Sequence, residues 1–84
     1  VRHAGEAALD RLEDLLSAAR AIPGLRERKR GIFYRGSIAF LHFHEDPAGL
    51  FADLKAGAGF ERFPVSSARE RRAFLSELRR RSTS

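Results

Sequence analysis

Three short segments of turn chemistry, Gly36-Ser37, Asp46-Pro47-Ala48-Gly49 and Ala56-Gly57-Ala58-Gly59, cut the middle of this chain into four runs of β-favouring residues. The runs cover residues 32–35, 38–45, 50–55 and 60–65. Connections of two to four residues force neighbouring runs to lie antiparallel, so the spacing predicts a four-stranded meander.

Both flanks read as helices. Between residues 4 and 21, Ala8, Leu9, Leu12, Leu15, Leu16 and Ala19 recur at helical spacing, with Glu6, Asp10, Arg11, Glu13 and Asp14 on the opposite side. Ile22-Pro23-Gly24 ends that helix, and the charged stretch 26–30 leads to the first strand. Ser67 followed by Glu70 forms a capping box. It opens a second helix that turns Phe74, Leu75 and Leu78 inward, closes in Arg79-Arg80-Arg81, and frays over Ser82-Thr83-Ser84. The predicted fold class is α+β, in the order α-β-β-β-β-α, as a single domain over 1–84. A chain of 84 residues hides only about 60% of the surface its unfolded form exposes, so a partner subunit would add stability.

Strand alternation then assigns faces, because a shift of one residue reverses every side chain. Setting Glu45 opposite Leu50 places His44 against Phe51, His42 against Asp53, Phe43 against Ala52 and Leu41 against Leu54. With Arg35 opposite Ile38 and Lys55 opposite Phe60, the apolar face also gains Ile32, Tyr34, Ala39, Phe63 and Val65, and both helices cover it. The other face is expected to hold Phe33, Arg35, Phe40, His42, His44, Phe51, Asp53, Lys55, Phe60 and Arg62. Four phenylalanines around a polar centre are too apolar for open water, which marks an interface or a ligand surface. The leading expectation is therefore a binding module working through Phe33, Phe40, His42, His44, Phe51, Asp53, Phe60 and Arg62, with a homodimer as its favoured form and a small-molecule ligand as the other use of the face.

Two further chemistries compete with that reading. His42-x-His44 points two imidazoles the same way, and Asp53 across the ladder adds an oxygen ligand, which suits zinc. No cysteine and no third well-placed histidine supports the set, so no cofactor is expected outright. The same residues would serve an acid–base or metal-dependent enzyme, but Ser37, Ser66 and Ser67 have turn or capping roles and no nucleophile elbow or phosphate loop is present. Glu45-Asp46-Pro47 reads as a turn. The net charge of +5 combines 16 basic with 11 acidic residues. Arginines 26, 28, 30, 69, 71, 72, 79, 80 and 81 thus give a nucleic-acid alternative, weighed against plain solvation of helix exteriors. No apolar run approaches the roughly 20 residues of a membrane span, and the chain has no cysteine, so a reducing cytoplasm is the expected setting.

The run Phe33-Tyr34-Arg35-Gly36-Ser37-Ile38-Ala39-Phe40-Leu41-His42-Phe43-His44-Glu45-Asp46-Pro47-Ala48-Gly49-Leu50-Phe51-Ala52-Asp53-Leu54, followed by Phe60-Glu61-Arg62-Phe63-Pro64-Val65, resembles a family of short uncharacterised bacterial proteins. In general layout it is also similar to small α+β domains of the MmcQ/YjbR type, some of which are described as DNA-binding. The resemblance implies the same element order and supplies no catalytic residue.

Overall fold

A computed structural model describes residues 2–82. The elements are β1 (Arg2–His3), α1 (Glu6–Arg11), α2 (Glu13–Arg20), β2 (Leu25–Lys29), β3 (Ile32–Arg35), β4 (Ile38–Asp46), β5 (Gly49–Ala56), β6 (Gly59–Pro64) and α3 (Ala68–Ser82). The α+β class and the antiparallel meander hold. The sheet, however, has five strands in the order β2-β3-β4-β5-β6, with β1 paired to β4 outside that path. Ser82 belongs to α3, its hydroxyl donating to the Leu78 carbonyl at 2.7 Å. The remaining residues of the expected frayed tail, Thr83 and Ser84, lie outside the described residues.

The predicted N-terminal helix is divided at Leu12, whose φ of −105° and ψ of 15° interrupt the α conformation. Tighter bonds, Leu12 N–H to Leu9 C=O and Leu15 N–H to Leu12 C=O, carry the chain across the break, and Leu12 stays fully buried. The helices bring Leu9, Leu12, Leu15, Leu16, Ala19, Phe74 and Leu78 to one cluster with Leu41, Phe43, Ala52, Leu54 and Val65 of the sheet side. Phe74 lies edge-on to Phe43 and tilted against Phe63, at 6.2 and 5.7 Å between ring centres. All three helices therefore share one face of the sheet.

The extra strand β2 has a single aliphatic residue, Leu25, and four charged ones, a composition suited to an edge strand. Glu27 turns toward the helices, where Arg20 grips it through Nε at 2.5 Å and Nη2 at 3.1 Å, and it also accepts the Gly31 N–H at 3.0 Å. Gly31 takes φ of 81° at the turn into β3, and a Cβ there would stand 2.7 Å from Leu9 Cδ2.

From β4 to β6 the predicted register is the observed one, with Glu45↔Leu50, His44↔Phe51, His42↔Asp53, Leu41↔Leu54 and Lys55↔Phe60. Arg35↔Ile38 is also as expected, but between Phe33 and Tyr34 the β3–β4 ladder shifts, giving Phe33↔Leu41 and Ile32↔His42. The shift leaves one extra residue on β4, a β-bulge at Phe40. The expected placement of Phe33 on the open face is thereby corrected: Phe33 is wholly buried beside Leu41, and Ile32 takes the outward position. Phe40 likewise joins the buried cluster. Arg35, expected outward, lays its guanidinium 5.1 Å from the Phe40 ring centre and donates to the Ser82 carbonyl of α3 at 2.6 Å. Tyr34 exchanges places with them and sits under the Arg28 guanidinium, 4.3 Å from its ring centre.

The capping box before α3 forms as read: Glu70 N–H donates to Ser67 Oγ at 3.1 Å, and Glu70 Oε1 accepts the Ser67 N–H at 2.9 Å. Ser67→Ala is expected to lower stability by about 1 kcal/mol, hence the melting temperature by about 4–8 °C. Calorimetry checks this, and an unchanged melt would mean that the box adds nothing to α3.

Candidate functional site

The site on the open face is built by the outward residues of three strands and the N-terminal segment. β4 supplies His42 and His44, β5 supplies Phe51 and Asp53, and β6 supplies Phe60 and Arg62; His44 faces Phe51, Asp53 lies between His42 and Arg62, and the Phe60 ring is 4.6 Å from that of His42. Of the residues predicted from sequence for this face, His42, His44, Phe51, Asp53, Phe60 and Arg62 are brought together, while Phe33 and Phe40 are in the core.

The residue that sequence reasoning missed is His3. Past Ile32, the last β3 residue paired to β4, the edge of β4 lies open, and β1 fills the slot with Arg2↔Glu45 and His3↔His44. Two hydrogen bonds and an ion pair hold it there. The Ala4 N–H donates to the Phe43 carbonyl at 3.0 Å, the Gly5 N–H to Glu45 Oε2 at 2.7 Å, and Arg2 Nη2 lies 3.6 Å from Glu45 Oε1. A two-residue strand has no periodicity to read. One signal was available, in that the chain contains only three histidines, and all three converge here.

One donor nitrogen from each of His3, His42 and His44 lies within 4.8 Å of the others. The His3 ring stacks on His44 at 4.7 Å and 26°, and His42 stands edge-on to both. His42 Nδ1 approaches His44 Nε2 to 2.8 Å, and His44 Nε2 is 3.2 Å from Asp53 Oδ2. Asp53 is buried and held by Arg62 through two parallel bonds of 2.8 and 2.9 Å.

While both imidazoles are neutral, a single proton on the line between them has two acceptors to serve. A proton on His44 Nε2 serves Asp53 or His42, and a proton on His42 Nδ1 leaves the His44 lone pair facing a carboxylate. Charging an imidazole would resolve the conflict, but burial pushes His44 and His42 below the usual 6.5, and for His42 the neighbouring His44 adds to the effect. The Arg62 guanidinium holds the Asp53 carboxyl below its usual range, so that side remains anionic. His44 Nδ1 is buried without a well-formed hydrogen bond, and the Arg2 backbone beside it favours the protonated ring only weakly. Converging lone pairs next to a fixed carboxylate are what a divalent cation satisfies all at once.

Elsewhere, a cavity of about 480 Å³ opens between the ends of α2 and α3, lined by Ala18, Ala21, Ile22, Pro23, Arg79 and Ser82. It contains no acid–base or nucleophile pair among the described residues. Glu45 and Asp46 have structural duties, Glu45 tying down the N-terminal segment and Asp46 Oδ1 accepting the Ala48 N–H at 2.7 Å in the turn.

Fold and site together define a small α+β domain whose sheet has one face under helices and the other open and histidine-bearing. Comparison of the chain with protein-family models, with curated proteins and with solved structures finds no match. No helix is long and apolar enough to cross a membrane among the described residues.

Proposed function

We propose that this chain is a metal-binding domain in which His3, His42 and His44 ligate a divalent transition metal such as zinc, with the Asp53 carboxylate beside their donor nitrogens as a neighbouring negative charge. The observation that carries this reading is the convergence of three donor nitrogens within 4.8 Å. Tetrahedral zinc with Zn–N of about 2.0–2.1 Å sets its nitrogens about 3.3 Å apart, so the 2.8 Å His42–His44 pair must open slightly and the third ligand must close in. The exposed side chain of His3 is the one free to do so. Three imidazoles leave a fourth position for water or a ligand, and Asp53 Oδ2, 3.2 Å from His44 Nε2, sets a fixed negative charge beside the cation.

Titration of the tag-free, chelator-stripped protein with zinc in a calorimeter is expected to show one site per chain. Absence of binding heat at about 100 µM protein overturns the proposal. The pH dependence follows from the ligand chemistry. Metal binds neutral imidazole, and His42 and His44 both have their titration pushed below 6.5, so their lone pairs are available at neutral pH. Acidification adds protons that the metal must displace. Zinc affinity is therefore expected to fall as the pH is lowered from neutral, as a pH series of the same titration would show. Affinity that rises on acidification would exclude imidazole ligands.

A further inference from the structure

We propose that the helix-free face of the sheet binds single-stranded nucleic acid, with exposed rings stacking on bases and the cations between them meeting phosphates. The corrected register composes this surface. Arg26 pairs with Tyr34 across β2 and β3, Arg28 stacks on Tyr34, and Lys55 and Arg62 stand opposite Phe60 and Asp53 on β5 and β6. Each outward ring has a cation over it: Arg28 over Tyr34 at 4.3 Å, Lys55 over Phe60 at 5.6 Å and Arg62 over Phe51 at 5.7 Å. Phe60 is 42% exposed, a large ring left open to solvent in the middle of this charge.

Charge complementarity selects the occupant. Arg26, Arg28, Lys55 and Arg62 face outward against two carboxylates, Asp53, which Arg62 already neutralises, and Asp46 at the end of β4, which also acts on Arg62. The acidic residues near these strands point elsewhere, Glu27 to Arg20 and Glu61 to Arg81. On the helical side, by contrast, Arg20, Arg30 and Arg71 are each paired with acids. The exterior of α3 is also basic, with six arginines against Glu70 and Glu77, but its one ring, Phe74, is wholly buried, so the sheet face is where cations and outward rings occur together. A second copy of the chain would bring like charges together here, whereas a polyanion with unstacked bases meets both the cations and the rings. Duplexes keep their bases stacked inside, so the rings could contribute nothing to them.

The test uses fluorescently labelled 12-residue oligo-dT and oligo-U, and a 12-base-pair DNA duplex, titrated with the full chain in EDTA. Chelation makes the result independent of the metal site. Single strands are expected to raise the anisotropy at micromolar protein, with a salt slope of about −2 to −3 from three to four phosphate contacts. Phe60→Ala and Tyr34→Ala are each expected to weaken binding about 5- to 150-fold, and Arg28→Gln to reduce the slope by about 0.7. Thermal melts of each variant confirm folding, and Phe60→Leu, which keeps an apolar side chain but removes the aromatic ring, provides a second variant. The proposal is overturned by tighter binding to the duplex, by no binding at about 100 µM, or by affinity indifferent to both ring substitutions. It is equally overturned if the protein alone sediments as a dimer that Phe60→Asp dissociates, since the face would then be an interface between copies.

Discussion

Phe33→Ala is expected to destabilise the protein by about 3–5 kcal/mol, the range for emptying a fully enclosed aromatic site, while Ile32→Ala costs about 1 kcal/mol or less. A chain of this length has a total stability on the order of 4–13 kcal/mol, so the first substitution removes from about a quarter to all of it. The asymmetry comes from the bulge. With Phe33 opposite Leu41, the ring lies in the cluster under α1 and α2, and Ile32 shares the open face with His42. An unshifted β3–β4 ladder would reverse the two positions and the two penalties. Urea melts of both variants read the difference directly as midpoint shifts at unchanged slope. Equal losses, or a greater loss for Ile32→Ala, would mean that the bulge is not present in solution.

The same bulge explains where the sequence was legible and where it was not. Between β4 and β6 both strands of each hairpin alternate cleanly and short turns pin the ends, so register followed from pattern. In Ile32-Phe33-Tyr34-Arg35 every residue is tolerable on either face, and Arg35 has an apolar stem with a charged tip. Alternation therefore carried no information about a one-residue insertion at Phe40, and Phe33 and Phe40 were assigned outward. Strand β2 was unreadable for another reason. Its charges are stabilised by tertiary partners, Glu27 by Arg20 above all, and a pattern of hydrophobicity cannot show an ion pair to a distant helix. The Ser67–Glu70 box was legible because all its chemistry lies within four residues.

Of the candidate site, His42, His44, Asp53 and Arg62 were recoverable because one ladder sets them side by side. His3 was not, since it reaches them by a pairing 41 positions away along the chain, His3↔His44. What fixes that pairing is Glu45, whose carboxylate accepts the Gly5 N–H and faces Arg2. A carboxylate that looks like part of a turn is thus the group that completes the histidine set.

His3→Ala is consequently the substitution that best separates a metal centre from a packed histidine cluster. His3 is exposed, so its removal is expected to change the stability of the metal-free protein by no more than about 0.5 kcal/mol. Zinc at 100 times its dissociation constant stabilises the intact protein by about 2.7 kcal/mol, a rise in melting temperature of about 10–20 °C for a domain of this size. Losing one of three ligands is expected to weaken binding at least as much as losing an orienting partner, by about 100-fold. The variant's zinc-induced rise then shrinks to about 2–3 °C at the same metal concentration, since its stabilisation falls to about 0.4 kcal/mol. Asp53→Asn, which keeps the shape and removes the charge beside His44 Nε2, is expected to fall between the two, at about 10- to 100-fold. Stacking alone would give the opposite signature, with a small loss of metal-free stability on removing any of the rings and the same response to zinc in every variant. Scanning calorimetry with and without zinc on the intact protein, His3→Ala and Asp53→Asn distinguishes the two, because a ligand is defined by what the metal adds to the fold and a packed ring by what it adds without metal.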